Sequence, residues 1–264
     1  MTEPRLGLER VGAVAWVTID DPARRNAVTL DMWRAFGPLL AELEADEGVA
    51  VLVLRGAGEH FSAGANIAEL PQIFDDADAG VADGGWVTAA EEAIARFSKP
   101  TIAAIDGHCV GGGWELAGAC DIRIASDRAI FGITPARLGI LYPFSGIRRL
   151  TEIAGPAVAK YLLLSGELVD AATALRLGLV LRTVPAETLW DVVTELAATV
   201  ASRSQLTVRA MKELVDHAAD GTDASDALTR WHAELAASDE SQTGIAAFLA
   251  KQPPQFGWRG PTPR

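Results

Sequence analysis

Short apolar runs in the first half of the chain predict its strands. Residues 6–11 and 14–19 are rich in apolar side chains and are separated by Gly12 and Ala13, so we expect a β-hairpin there. Three later runs are continuously apolar, which is typical of strands buried on both faces of a sheet. They are AVLVL at 50–54, TIAAI at 101–105 and IRIA at 122–125. The predicted strands therefore concentrate in the first 135 residues.

Apolar side chains at helical spacing predict helices, most of them in the second half of the chain. Thr29 is a suitable N-cap for a helix that continues toward Ala45. From about Gly146 onward the spacing is mostly helical, and it predicts helices at 156–164, 171–177, 191–201, 206–218 and 224–237. Residues 71–90 hold three glycines and four aspartates, with no clear period until their end. We expect a mobile loop there, with a helix that starts near Val87.

Composition narrows the class of protein. The 264 residues are 49% hydrophobic and carry a formal net charge of -12, so a sizeable core is expected and nucleic-acid binding is not. Two cysteines without a CxxC pair favour a reducing compartment. The first ten residues lack the pattern of a signal peptide, and no apolar run approaches the roughly 20 residues of a membrane span. We expect a cytoplasmic protein without a membrane partner.

Two glycine-containing turns follow predicted buried strands. The first is HFSAGANI at 60–67 and the second is GHCVGGGWEL at 107–116. Glycine lets backbone N–H groups approach a ligand closely, and a helix N-terminus adds unpaired N–H donors with partial positive charge. Two such turns that face each other can hold a developing oxyanion. Each turn alone is also compatible with ordinary turn formation.

Several other chemistries lack their motifs. GAGEHF at 56–61 departs from the dinucleotide-binding GxGxxG at its last position, and no phosphate-binding Walker sequence occurs. His60 stands where a nucleophile elbow around Ser62 needs its first glycine. The four histidines form no HExxH, so we expect no metal.

The two glycine turns lie in segments that resemble a known family. FSAGANIAEL (61–70) and GHCVGGGWELAGACDIRIAS (107–126) resemble, in order, the two signatures of the crotonase (enoyl-CoA hydratase/isomerase) superfamily. DPARRNAV (21–28) resembles the upstream CoA-binding segment of that family. FLAK (248–251) resembles a C-terminal segment that contacts CoA, often from a neighbouring subunit.

The resemblance implies an architecture and a substrate. It implies an α/β fold, with a crotonase-like spiral of ββα units in residues 1–200 and a helical C-terminal trimerisation region in 201–264. The expected assembly is a homotrimer or a homohexamer. The expected substrate is an acyl-CoA thioester, and no cofactor is expected beyond the coenzyme A that the substrate carries.

The resemblance also assigns roles to single residues. The backbone N–H groups of Ala65 and Gly112 fall on the family's oxyanion hole, and Glu115 falls on the first of its two catalytic glutamates. An acid in the first turn of a helix also complements the helix dipole, which is the structural alternative for Glu115. The remaining positions expected to contact substrate or CoA are Arg24, Arg25, Ala63, Asn66, Ile67, Thr134, Phe248 and Lys251. The arginines and the lysine are equally compatible with ordinary surface positions.

The chain departs from the family at the second glutamate, which falls on Pro135. Proline neither gives nor takes a proton, so a mechanism that uses two carboxylates on one water is damaged. Thr134 and Tyr142 stand nearby, and Tyr142 is the second candidate catalytic residue because a phenol can donate or accept a proton. Packing beside a loop is an equal alternative for this tyrosine.

The pattern TPARLGILY (134–142) also resembles the methylmalonyl-CoA decarboxylase branch, in which the threonine and tyrosine lie near the substrate carboxylate. That branch has histidine at the position of Ala65. The expected function is an enoyl-CoA hydratase/isomerase-family enzyme that acts through an oxyanion-stabilised enolate. The alternatives are a malonyl-type acyl-CoA decarboxylase and a degenerate acyl-CoA-binding subunit. Phe74 and Trp86 are candidate walls of the acyl pocket.

Overall fold

The computed structural model describes residues 3–260 and contains two sheets. The six-stranded sheet has the order β1-β2-β3-β4-β6-β9, and the three-stranded sheet has the order β5-β7-β8. The strands are β1 (Arg5–Val11), β2 (Val14–Asp20), β3 (Val51–Gly56), β4 (Thr101–Ile105), β5 (His108–Val110), β6 (Ile122–Ser126), β7 (Ile130–Gly132), β8 (Leu168–Asp170) and β9 (Arg182–Val184).

Helices connect the strands and make up most of the chain after Gly132. The helices are α1 (Leu30–Ala45), α2 (Leu70–Ile73), α3 (Asp76–Ala79), α4 (Gly85–Ala95), α5 (Gly112–Ala119), α6 (Pro135–Leu138), α7 (Phe144–Ser165), α8 (Ala171–Arg176), α9 (Leu189–Ala201), α10 (Gln205–Asp220), α11 (Ser225–Ala236) and α12 (Glu240–Ala250). No helix among residues 3–260 is both long enough and apolar enough to cross a membrane.

The strands β2, β3 and β4 of the larger sheet are buried on both faces, which explains the continuously apolar runs of β3 and β4. β1 and β2 form the predicted antiparallel hairpin, and every other neighbouring pair in this sheet is parallel. Because side chains alternate along a strand, Leu52 and Leu54 of β3 pack under α1, α4 and α5. Val51 and Val53 of the same strand pack against α9 on the opposite face. Both faces exclude water, as in other parallel sheets.

The predicted cap of α1 is confirmed, because the Thr29 side-chain oxygen accepts a hydrogen bond from the Met32 N–H at 3.3 Å. The prediction for residues 71–90 is wrong in part. α3 lies wholly within that span and α2 extends into it, and α4 begins at Gly85 rather than near Val87. The Asp75 carboxylate caps α3 by accepting from the Asp78 N–H at 3.0 Å. The aspartates that suggested a loop therefore start a short helix.

The concentration of strands before residue 135 is confirmed for seven of the nine strands in the described chain. β8 and β9 lie beyond it, and each is only three residues long. β9 extends the parallel sheet beside β6, and β8 pairs antiparallel with β7. Strands this short leave no period in the sequence, so their long-range pairing is what defines them.

Candidate active site

A cavity of about 350 Å³ opens at the carboxyl ends of β3 and β4. Most of its wall comes from three segments, which are residues 63–70, residues 108–115 and residues 134–142, and the rest comes from Arg25, Phe74, Val87 and Leu168. Clefts at the carboxyl ends of neighbouring parallel strands are the usual binding position in α/β sheets. The fold thus brings both glycine turns and the proline-containing segment together.

Backbone hydrogen bonds hold the two glycine turns side by side. The Ser62 N–H donates to the His108 carbonyl at 2.8 Å, and the Val110 N–H donates to the Ser62 carbonyl at 3.0 Å. The Phe61 N–H donates to the Asp106 carbonyl at 2.7 Å. The turns therefore pair as a short parallel ladder, which fixes their spacing.

The N–H groups of Ala65 and Gly112 border one space in this cavity. A β-carbon built on Gly112 would lie 3.3 Å from the Ala65 nitrogen, and one built on Gly64 would lie 3.3 Å from the Gly112 nitrogen. Each amide follows a glycine with positive φ, +101° at Gly64 and +55° at Gly111, which side chains rarely adopt. Within residues 3–260, neither of the two N–H groups donates a hydrogen bond to the protein.

The carbonyl on the other side of each of these peptide groups is anchored. The Gly64 carbonyl accepts from the Val28 N–H at 2.8 Å. The Gly111 carbonyl accepts from the N–H groups of Trp114 at 2.9 Å and Glu115 at 3.2 Å. It also accepts from the Tyr142 hydroxyl at 3.1 Å. Because the N–H and C=O of a trans peptide point in opposite directions, holding the two carbonyls aims the next N–H groups at the cavity.

Among the residues that the structure describes, Glu115 carries the only carboxyl group in the cavity wall. It lies in the first turn of α5 and is 2% exposed, and its Oε1 has no hydrogen-bond partner within the described chain. Burial raises the pKa of Glu115 well above its usual range, and the negative charges of Glu91 and Asp83 raise it further. The site therefore favours the protonated form of Glu115 more strongly than water does.

α7 closes the cavity behind Glu115 and Tyr142. A β-carbon on Gly146 would lie 2.7 Å from Glu115 Oε1 and 2.9 Å from Tyr142 Cε1. Only glycine allows this approach of the helix backbone. Burial raises the pKa of Tyr142 well above its usual range, and the charge of Glu115 adds to the effect. The phenol is therefore a neutral donor, and its hydrogen bond goes to Gly111.

Pro135 lies in the cavity wall as the first residue of α6 and is buried. Thr134 lines the same wall. No carboxylate of the described chain replaces the missing glutamate in this wall. Thr134 and Pro135 therefore contribute a wall surface and a hydroxyl group to the cavity rather than a second carboxylic acid.

The residues expected to contact CoA divide into two groups. Arg25, Ala63 and Ile67 line the cavity, as do Ala65, Gly112, Glu115, Thr134 and Tyr142. Arg24 points to Asp21, with 3.3 Å between Nη1 and Oδ2. The Asn66 side chain accepts from the Ala68 N–H and donates to Glu69. The structure does not bring Arg24, Asn66, Phe248 or Lys251 to the cavity of this chain.

One predicted pocket wall is correct and the other is wrong. Phe74 lines the cavity. The Trp86 indole N–H instead donates to Asp78 at 2.9 Å, and the Arg34 guanidinium lies 5.3 Å from its ring centroid. An indole needs a partner for its N–H, and this one finds it outside the cavity.

Sequence reasoning missed several residues of the cavity wall, among them His108, Arg137 and Val87. His108 stood inside the second signature segment, and Arg137 stood in the segment around Pro135. Both residues lie in segments that the sequence singles out, but nothing in the pattern shows which of their side chains face the cavity. Within residues 3–260, no group of three or more His, Cys, Asp or Glu side chains is arranged to hold a metal.

Comparisons with known proteins agree with the architecture. The sequence model of the family described as enoyl-CoA hydratase/isomerase matches residues 9–259. A Mycobacterium tuberculosis protein named probable enoyl-CoA hydratase is 37% identical over 98% of this chain and 100% of its own length. The mitochondrial Delta(3,5)-Delta(2,4)-dienoyl-CoA isomerase of Dictyostelium discoideum is 32% identical over 92% of this chain and 87% of its own.

A solved structure has the same fold. The crystal structure of an enoyl-CoA hydratase/isomerase family member superposes with a TM-score of 0.92 at 40% identity, covering 98% of this chain and 100% of that one. The similar proteins thus include names for both hydration and isomerisation.

Proposed function

The chain belongs to the enoyl-CoA hydratase/isomerase family, and we propose that it stabilises the enolate of an acyl-CoA thioester between the N–H groups of Ala65 and Gly112. Glu115 is the group that moves the proton. The observation that carries this proposal is that two N–H groups without protein acceptors and one buried carboxyl face the same cavity. A donor placed at a developing oxyanion typically contributes about 2.7–4 kcal/mol to lowering the barrier.

The single carboxyl favours reactions that need one proton-transfer group. In isomerisation, a C–H bond of the enoyl chain breaks, its proton passes to the Glu115 carboxylate, and the electron pair moves onto the thioester oxygen. The Glu115 carboxyl then returns the proton to a different carbon of the dienolate. Hydration adds a water as well as a proton, and Pro135 leaves no second carboxylate in the wall to activate that water.

Decarboxylation of a malonyl-type acyl-CoA is the second candidate, and Arg137 favours it. Arg137 lines the cavity, and none of the described acidic side chains forms a salt bridge with it. A cation at the wall suits a substrate with a carboxylate on its acyl group. Loss of carbon dioxide leaves its bonding electrons on the enolate, which Glu115 protonates at Cα. The raised pKa of Glu115, which favours its protonated form, suits this step.

A degenerate acyl-CoA-binding subunit is the weakest reading, because burying an unpaired carboxyl costs stability and binding does not require it. The test is incubation with a panel of 2-enoyl-, 3-enoyl- and malonyl-type CoA esters, followed by chromatography and mass spectrometry. We expect turnover of at least one ester by the wild type and a loss of about 10²–10⁴-fold in Glu115→Gln. Tight binding of CoA esters without turnover of any of them would overturn the proposal.

The family resemblance also supports a trimer or hexamer in which CoA is shared between subunits. Phe248 on α12 is 82% exposed in the single chain, beside Leu249 at 76%. We propose that this surface packs near a neighbour's cavity and that Lys251 meets the CoA there. Light scattering should give a trimeric or hexameric mass, and Lys251→Ala should raise KM for CoA esters with kcat nearly unchanged. A monomer would contradict this arrangement.

A further inference from the structure

A second buried glutamate lies in α4, outside the cavity wall. Glu91 is 0% exposed, and the Arg149 Nε donates to its Oε1 at 2.8 Å. Its Oε2 has no hydrogen-bond partner in the described chain. Arg149 also lies 3.4 Å from Glu92, so its positive charge is shared between two carboxylates. Glu91 therefore keeps part of its negative charge uncompensated.

Two helices connect the Glu91–Arg149 pair to the site of Glu115. Gly146 of α7 packs against Glu115, and Arg149 follows it by three residues on the same face of that helix. Val87 of α4 lines the cavity, and Glu91 follows it by four residues on the same buried face. The ion pair therefore lies one helical turn from the contact of α7 with Glu115 and one turn from the cavity wall on α4.

The charged and titratable groups around Glu115 come from the cavity wall and from the packed helices. Arg25, His108 and Arg137 line the same cavity. Asp83, which precedes α4, accepts from the Phe144 N–H at the N-terminus of α7 at 2.7 Å. The neutral Tyr142 lies on the loop side, and Glu91 with Arg149 lies between α4 and α7. Burial makes the largest contribution to the raised pKa of Glu115, and among the charges that of Glu91 comes first. Burial also raises the pKa of Glu91, with Arg149 working against it.

We propose that Glu91 is a positioning residue that keeps the proton on Glu115, and that Arg149 moderates its effect. Like charges close together in a buried site oppose each other's ionisation. Because the family's second acid is replaced by Pro135, Glu91 supplies a second charge from behind Glu115 rather than a second proton donor at the substrate. This inference rests on the proposed function of Glu115, although its titration can be measured without turnover.

The experiment follows the infrared absorption of protonated carboxyl groups against pH in the free protein, with Glu115→Gln to assign the Glu115 band. Glu91→Gln should lower the titration midpoint of Glu115 by on the order of one pH unit, which is about tenfold in its ionisation constant. Adding Arg149→Gln to Glu91→Gln should raise the midpoint again, because the remaining positive charge is removed. This double variant also removes the buried cation that has lost its partner Glu91 and keeps only Glu92, so it guards against failure to fold.

Glu152→Gln is the matched control, since Glu152 is an exposed acid on α7 that pairs with Arg148. It should leave the Glu115 midpoint unchanged. A Glu115 midpoint that is the same in Glu91→Gln as in wild type would overturn the proposal. So would a double variant that titrates like Glu91→Gln. If the midpoints move as expected but no CoA ester reacts, the proposed function fails while the electrostatic coupling stands.

Discussion

Replacing Tyr142 with phenylalanine separates two roles for its hydroxyl. The hydroxyl donates to the Gly111 carbonyl at 3.1 Å, and that carbonyl belongs to the same peptide group as the Gly112 N–H. The substitution removes this hydrogen bond and keeps the ring that packs against Gly146. If Tyr142 acts by orienting the Gly112 N–H, the loss should be modest. If it transfers a proton to the substrate, the loss should be large.

The structure sets the size of the modest effect. After the substitution the Gly111 carbonyl still accepts from Trp114 at 2.9 Å and from Glu115 at 3.2 Å, so no buried acceptor is left unsatisfied. The cost is then that of one ordinary hydrogen bond, about 0.5–1.5 kcal/mol. If all of it falls on the transition state, the rate decreases roughly 2- to 12-fold. Loss of a general acid or base costs about 10²–10⁴-fold.

The assay is kcat/KM against pH for the ester that the wild type turns over best. Tyr161→Phe is the matched control, because Tyr161 is the only other tyrosine and its hydroxyl donates to Glu167 on the surface. We expect a small uniform decrease in Tyr142→Phe and no change in Tyr161→Phe. A decrease beyond about 100-fold, or the disappearance of one limb of the pH profile, would refute the orienting role and restore Tyr142 as a proton donor.

Three further substitutions test the rest of the site. Because the folded pKa of Glu115 lies well above 4.5, wild-type stability falls as pH rises from 4.5 through the folded pKa. The melting temperature of Glu115→Gln minus that of wild type should therefore increase with pH, and a flat difference would contradict the raised pKa. Gly112→Ala places a β-carbon 2.9 Å from the Trp33 ring, so we expect stability to fall by about 1–3 kcal/mol and activity to fall with it. Gly37→Ala is the control, since there is open space around Gly37, and this variant should fold normally. Pro135→Glu should hydrate 2-enoyl-CoA faster than Pro135→Gln does. Equal rates would show that the missing acid is not the main obstacle to hydration.

Local patterns predicted the parts of the fold whose cause is local. The β1–β2 hairpin follows from two apolar runs around a glycine turn, and the cap of α1 follows from one threonine. The runs of β3 and β4 are apolar because both faces of the sheet are covered. Family signatures placed Ala65, Gly112 and Glu115 at one site, and the fold brings them to one cavity.

Features that depend on contacts between residues far apart in the sequence could not be predicted from local patterns. Glu91 looks like any polar position of an amphipathic helix until Arg149 of α7 packs against it. The direction of the Tyr142 hydroxyl depends on the backbone of residue 111, which no spacing rule encodes. Trp86 is a predicted wall of the acyl pocket, but its indole N–H donates to Asp78, which lies outside the cavity.

The central claim is that this cavity stabilises an acyl-CoA enolate and that Glu115 moves its proton. The most direct measurement is exchange of the Cα protons of a saturated acyl-CoA in deuterium oxide, followed by mass spectrometry. A saturated chain offers no double bond to hydrate or move, so enolate formation is the only step observed. The account predicts deuterium at Cα with the wild type and none above background with Glu115→Gln. Binding of the ester without exchange, or equal exchange in both proteins, would contradict it.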